Sequence, residues 1–97
     1  MKTKIFVTKK DIKNGCQKSC FDCPVALAIN RKFKKKEVVG IFVDPLWIKI
    51  KFKEEDRITG IPKTLFIATP KKVEKFIMKF DSNRKVKPFS FCLNTEI

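Results

Sequence analysis

Histidine and tyrosine are absent from this chain, and arginine occurs three times against twenty lysines. Without histidine the chain lacks the commonest general base and the commonest nitrogen ligand for zinc. A Ser-His-carboxylate or Cys-His constellation is therefore impossible, and composition argues against most hydrolytic chemistry. Long apolar runs are missing too. The longest uninterrupted one, at Val25–Ile29, is far below a membrane span. Met1-Lys2-Thr3-Lys4 is followed by only Ile5-Phe6-Val7 before charge returns, too short for an export core. These features lead us to expect a soluble, cytosolic protein with no membrane partner. At 97 residues the chain fits one domain, with no room for a barrel enzyme or a dinucleotide-binding domain plus a substrate domain.

Acidic residues are scarce. Ten stand against 23 basic ones, a net charge of +13. The surplus is spread along the chain and forms no separate tail, so it belongs to the folded surface. AT-rich coding would raise lysine, isoleucine and phenylalanine, but it would raise glutamate about as much. Part of the excess is therefore read as functional, since such a field attracts polyanions in a salt-dependent way. Candidate polyanions are nucleic acid, an acidic protein face and an anionic membrane surface. Ten phenylalanines and one tryptophan within 43% hydrophobic residues provide for a packed core.

The pattern along the chain predicts the order β-α-β-β-β-α-β. Lys4–Thr8 reads as a strand. Thr8-Lys9-Lys10-Asp11 reads as a capping box opening one helical turn, Asp11–Asn14, ended by a left-handed Gly15. Ser19 is the expected cap of a helix from Cys20 to Phe33, with Pro24 in its first turn and Phe21, Val25, Ala28 and Ile29 on its buried face. Lys34, Lys35 and Lys36 would then favour its C-terminal dipole. Val38–Val43 and Leu46–Lys53 read as an antiparallel pair. Leu46, Ile48, Ile50 and Phe52 would point one way, and Trp47, Lys49, Lys51 and Lys53 the other. Glu54-Glu55-Asp56 is an acidic turn, after which Arg57–Thr59 is read as extending a strand. Thr64–Ala68 is a strand, and Thr69 with Pro70 opens a helix whose buried stripe is Val73, Phe76, Ile77 and Phe80. Pro88–Leu93 closes the chain as a strand. These elements predict an α+β fold over residues 1–97, a mainly antiparallel sheet of four to five strands with two helices packed on one face.

Four cysteines invite a metal reading. Cys16, Cys20 and Cys23 give C-x3-C-x2-C, the cluster-loop spacing of radical S-adenosylmethionine enzymes, but the chain is too short for the barrel that binds that cofactor. Adding Cys92 would make a four-thiolate zinc site, closed and tetrahedral, which would stabilise a small fold. Cys20-Phe21-Asp22-Cys23 at a helix start is also a candidate redox pair, although Asp22 between the sulfurs opposes thiolate formation. The remaining reading is plain packing by small apolar thiols.

Two basic faces are candidate binding surfaces. On the central strand, Trp47 flanked by Lys49, Lys51 and Lys53 combines a base-stacking ring with phosphate-neutralising ammonium groups. Lacking arginine forks, such a face would bind nucleic acid without strong sequence preference. On the last helix, Lys71, Lys72, Lys75 and Lys79 form the second. Both faces also admit the simpler reading of solvated charge.

Taken as a set, Thr8-x-x-Asp11-Ile12-x-x-Gly15, Ser19-Cys20-x-x-Cys23-Pro24-Val25-Ala26-Leu27-Ala28, Phe76-Ile77-x-x-Phe80-Asp81 and Val86-x-Pro88-Phe89-Ser90-Phe91 resemble a group of small proteins encoded by phages and bacterial mobile elements. The resemblance spans most of the chain and is loose over residues 34–68. Cys20 and Cys23 match the group's pattern; Cys16 and Cys92 do not. The resemblance implies an origin in a phage or prophage and action in a bacterial cytoplasm. Small proteins of that origin are often non-enzymatic inhibitors of host machinery or defence. The expectation is thus a small non-enzymatic phage-type protein engaging nucleic acid or the acidic face of a nucleic-acid-handling host complex. The alternative is a zinc-stabilised structural or virion-associated protein.

Overall fold

A computed structural model describes residues 2–33, 38–55 and 57–94. The elements run β1 (Lys2–Val7), α1 (Lys9–Asn14), α2 (Pro24–Lys32), β2 (Val38–Val43), β3 (Trp47–Glu55), β4 (Pro62–Ala68), α3 (Lys71–Asp81) and β5 (Phe89–Asn94). The fold is α+β, and the strand pairings are antiparallel. The strands nevertheless divide into two sheets. β2, β3 and β4 form a meander, while β1 pairs with β5 from the opposite end of the chain. One sheet of four to five strands with two helices on one face is therefore corrected, among the described residues, to a ribbon, a meander and three helices. Strand character is local, but the choice of partner is not, and Ile5 finds Phe91 across the chain.

Helix α2 packs against both β1 and β2 and so joins the two sheets. Its Val25 and Ile29 lie in one continuous core with Ile5 and Val7 of β1, Ile48 and Ile50 of β3, Val73 and Ile77 of α3, and Leu93 of β5. Each such side chain contributes about 1.5–3 kcal/mol on leaving water. β3 alternates as its period demands. Ile48, Ile50 and Phe52 are buried while Trp47, Lys49, Lys51 and Lys53 are exposed, although Leu46 lies before the strand and is exposed as well.

Local caps decide several boundaries. At α1 the capping box forms: Asp11 N donates to Thr8 Oγ1, and Thr8 N donates back to Asp11 Oδ2 at 2.8 Å. Arg31 from α2 closes on the buried Asp11 carboxylate with both guanidinium nitrogens and also donates to the Phe6 carbonyl at 2.7 Å. Gly15 is extended, with φ −72°, and not left-handed. Glycine is needed there for space, because a Cβ would stand 2.5 Å from Pro24 Cδ. α2 starts at Pro24, with Cys23 as its cap: Ala26 N donates to Cys23 Sγ at 3.4 Å. Ser19 instead accepts from Asp22 N in a preceding turn. The Thr69 hydroxyl is likewise taken, donating to the Asp44 carbonyl at 2.8 Å, so α3 begins without a side-chain cap. Arg57–Thr59 forms a turn and not a strand. Lys34, Lys35, Lys36 and Asp56 lie outside the described residues.

Candidate nucleic-acid interface

The outer face of the meander is built by register. Lys49 of β3 faces Phe42 of β2 on one side and Phe66 of β4 on the other. The next outward pairs on β3 are Trp47 with Ala68, and Lys51 with Thr64 and Gly40. Aromatic rings thus flank a lysine on both neighbouring strands. Asp44 fixes where the row begins. Its Oδ1 accepts from Leu46 N at 2.8 Å and from Trp47 N at 2.6 Å, while Thr69 N donates to the Leu46 carbonyl at 3.0 Å. The indole is 50% exposed and Phe66 63% exposed, a large apolar area left in water.

Phe42, Trp47, Lys49 and Phe66 line a hollow of about 380 Å³. A second hollow of about 170 Å³ shares Phe42 and Lys49 with it and adds Lys51 and Phe21. Phe21 meets Phe42 edge-to-face at 5.8 Å. The Lys49 ammonium stands 5.5 Å from the centre of the Phe66 ring, a cation–π contact. Lys53 continues the stripe toward Glu54, which pairs at 3.2 Å with Lys63 of β4. The structure therefore brings Trp47 and Lys49 to one hollow, Lys51 to the next, and Lys53 to the same face. Phe21, Phe42 and Phe66 were not singled out from the sequence. Phe66 was legible from its parity between Leu65 and Ile67. Phe21, expected on the buried face of a helix, lies before α2 and is exposed.

The four predicted helix lysines are all exposed on α3. Lys72, Lys75 and Lys79 line a separate groove of about 480 Å³, to which Lys85 and Lys87 contribute from the following loop. Lys71 does not line it. Lys72 Nζ donates to the Ser90 carbonyl of β5 at 2.8 Å, which holds that side chain along the groove wall.

The cysteines do not share one site. Cys23 is buried, 3% exposed, with its sulfur accepting at the start of α2. Cys16 and Cys92 are exposed, and Cys92 stands on β5 opposite Lys4 of β1. Among the described residues no three cysteine or carboxylate side chains are grouped to hold a metal ion, so the four-thiolate zinc arrangement expected from Cys16, Cys20, Cys23 and Cys92 is not formed. Burial pushes the Cys23 thiol up, outweighing the backbone N–H groups of Ala26 and Val25 that favour its thiolate. Burial also raises Cys20, with the nearby Asp44 and Asp81 charges adding to it. Neither sulfur is held as a ready nucleophile.

Among the described residues no helix is long and apolar enough to cross a membrane. Comparison with protein-family models, with curated proteins and with solved structures finds no match to this chain.

Proposed function

We propose that the chain is a small non-enzymatic binding protein whose three-stranded sheet takes up single-stranded nucleic acid. The observation that carries this reading is the hollow shared by Phe42, Trp47 and Phe66, one ring from each of three adjacent strands, with Lys49 between them. Bases stack on such rings whatever their identity, and the β3 lysines neutralise the backbone. Lys49, Lys51 and Lys53 alternate along the strand at roughly 6.6 Å, a step comparable with the phosphate repeat of an extended strand. Readout of base edges would be weak, because no arginine lies among the residues lining either hollow. The resemblance to phage and mobile-element proteins supports a bacterial cytoplasm as the setting, with a nuclease-based defence complex as the kind of machine whose strands would be covered.

The test is titration of a labelled oligothymidine with the full chain and with Trp47→Ala and Phe66→Ala. Each substitution removes a stacking ring worth about 1–3 kcal/mol per base, or roughly 5- to 150-fold in Kd. Both rings are substantially exposed, so the fold is expected to survive, which circular dichroism checks. Unchanged affinity in both variants defeats the reading. Capture of a host complex that persists after nuclease treatment would instead point to direct protein recognition.

A further inference from the structure

The groove between α3 and the 85–89 segment differs in chemistry from the sheet face. Its floor is apolar, made by Phe76, Val86 and Phe89. Lysines stand on both banks: Lys72, Lys75 and Lys79 on the helix, Lys85 and Lys87 on the loop, with no carboxylate among the lining residues. At about 480 Å³ it has room for bulky side chains. The floor rings are engaged within the protein. Phe89 packs against Phe76 at 4.7 Å and Phe91 at 5.7 Å, and the Lys72 ammonium lies 5.7 Å from its ring centre. Phe76 is buried and Phe89 half-buried, so the floor offers apolar contact but less ring surface to a base than the exposed Phe66. No polar side chain other than lysine lines the groove to read a base edge. A second copy of this chain is a poor occupant, since a net charge of +13 repels its like.

We propose that this groove binds an acidic peptide segment carrying a bulky apolar side chain, with the apolar group on the Phe76–Val86–Phe89 floor and its carboxylates between the two lysine banks. The site is separate from the sheet face, so the protein would hold a strand on one surface and an acidic protein segment on another. The apolar anchor supplies the buried contact, and the lysines speed encounter and set orientation.

The experiment uses fluorescence polarisation on the full chain with two probes: a labelled octapeptide of alternating Asp and Phe, and a labelled oligothymidine. Two variants carry the same net charge: Lys75→Gln/Lys79→Gln/Lys87→Gln in the groove, and Lys49→Gln/Lys51→Gln/Lys53→Gln on the sheet. Matching their charge cancels the long-range field, and circular dichroism confirms folding of both. The groove variant is expected to weaken peptide binding about tenfold more than the sheet variant does, and a peptide with Ser for Phe is expected to bind wild type about as poorly. Equal weakening of the peptide by both variants would leave only net charge and overturn the proposal. So would equal affinity for the Ser peptide. Greater loss of oligothymidine in the groove variant than in the sheet variant would make the groove a nucleic-acid site and overturn it too. If the sheet variant leaves oligothymidine unaffected while the groove variant still loses the peptide, the sheet reading falls and the groove assignment stands.

Discussion

The lysines of β3 set how strand binding should respond to salt. Lys49, Lys51 and Lys53 share the outer face and are all exposed. If each meets one phosphate of a single strand, log Kd against log salt has a slope of about 2 in magnitude, at roughly 0.7 per contact. Raising salt from about 50 to about 200 mM then weakens binding roughly 20-fold. The chain supplies its own probe, since Trp47 is the one tryptophan and tyrosine is absent. A base stacked on its half-exposed indole should quench its emission. Titrations with oligothymidine at several salt concentrations give the slope directly. In Lys49→Gln/Lys51→Gln/Lys53→Gln the slope should collapse toward zero with the quenching still detectable at low salt. Trp47→Ala, followed with a labelled oligomer, should behave in the opposite way and lose affinity at every salt concentration with the slope unchanged. A slope that survives the lysine substitutions would mean that the phosphates lie elsewhere, and the stripe would then be mere solvated charge.

Four further outcomes test the frame that presents this face. Arg31→Ala strips the guanidinium from a buried carboxylate and should cost about 1–3 kcal/mol in denaturant unfolding, discounted because Arg31 is itself half exposed. Burial alone would raise the Asp11 carboxyl, but hydrogen bonds from Arg31 and from the Thr8 amide and hydroxyl outweigh it and hold it below its ordinary 3.8. A depressed carboxyl stabilises fully above that value and progressively less below it, so Tm should fall as the pH drops through and below it. That fall should be shallower in Arg31→Ala. Gly15→Ala forces a Cβ to within 2.5 Å of Pro24 Cδ and should cost about 1–3 kcal/mol; a neutral result would show that the loop yields freely. With a thiol-reactive dye, the exposed Cys16 and Cys92 should label first, and buried Cys23 only as the protein unfolds.

Much of this molecule is readable without coordinates, and the failures share a cause. The alternation from Trp47 to Lys53 assigns both faces of β3, because a strand repeats every two residues whatever surrounds it. The stripe Val73, Phe76, Ile77 and Phe80 likewise gives the buried side of α3. Competition for a hydrogen-bonding side chain is harder to read. Ser19 and Cys23 both precede plausible helix starts; the Cys23 sulfur takes the cap at Pro24, while the Ser19 hydroxyl is engaged by Asp22 N in a turn before it. Thr69 looks like a cap until Asp44, distant in sequence, takes its hydroxyl. The binding face was half legible for the same reason. Trp47 and the lysines lie on one strand, whereas Phe42 and Phe66 join them only through register.

The pairing of β1 with β5 bears on how the chain is made. The meander closes through near neighbours along the sequence, but Lys2 lies opposite Asn94 and Val7 opposite Phe89. During translation β2, β3 and β4 can assemble while Ile5 and Val7 still lack their partner strand. Joining them is the contact of longest sequence separation and carries the largest loop-closure entropy. β5 thus completes the shelter of β1, and until it does an adhesive strand edge is open to any neighbour.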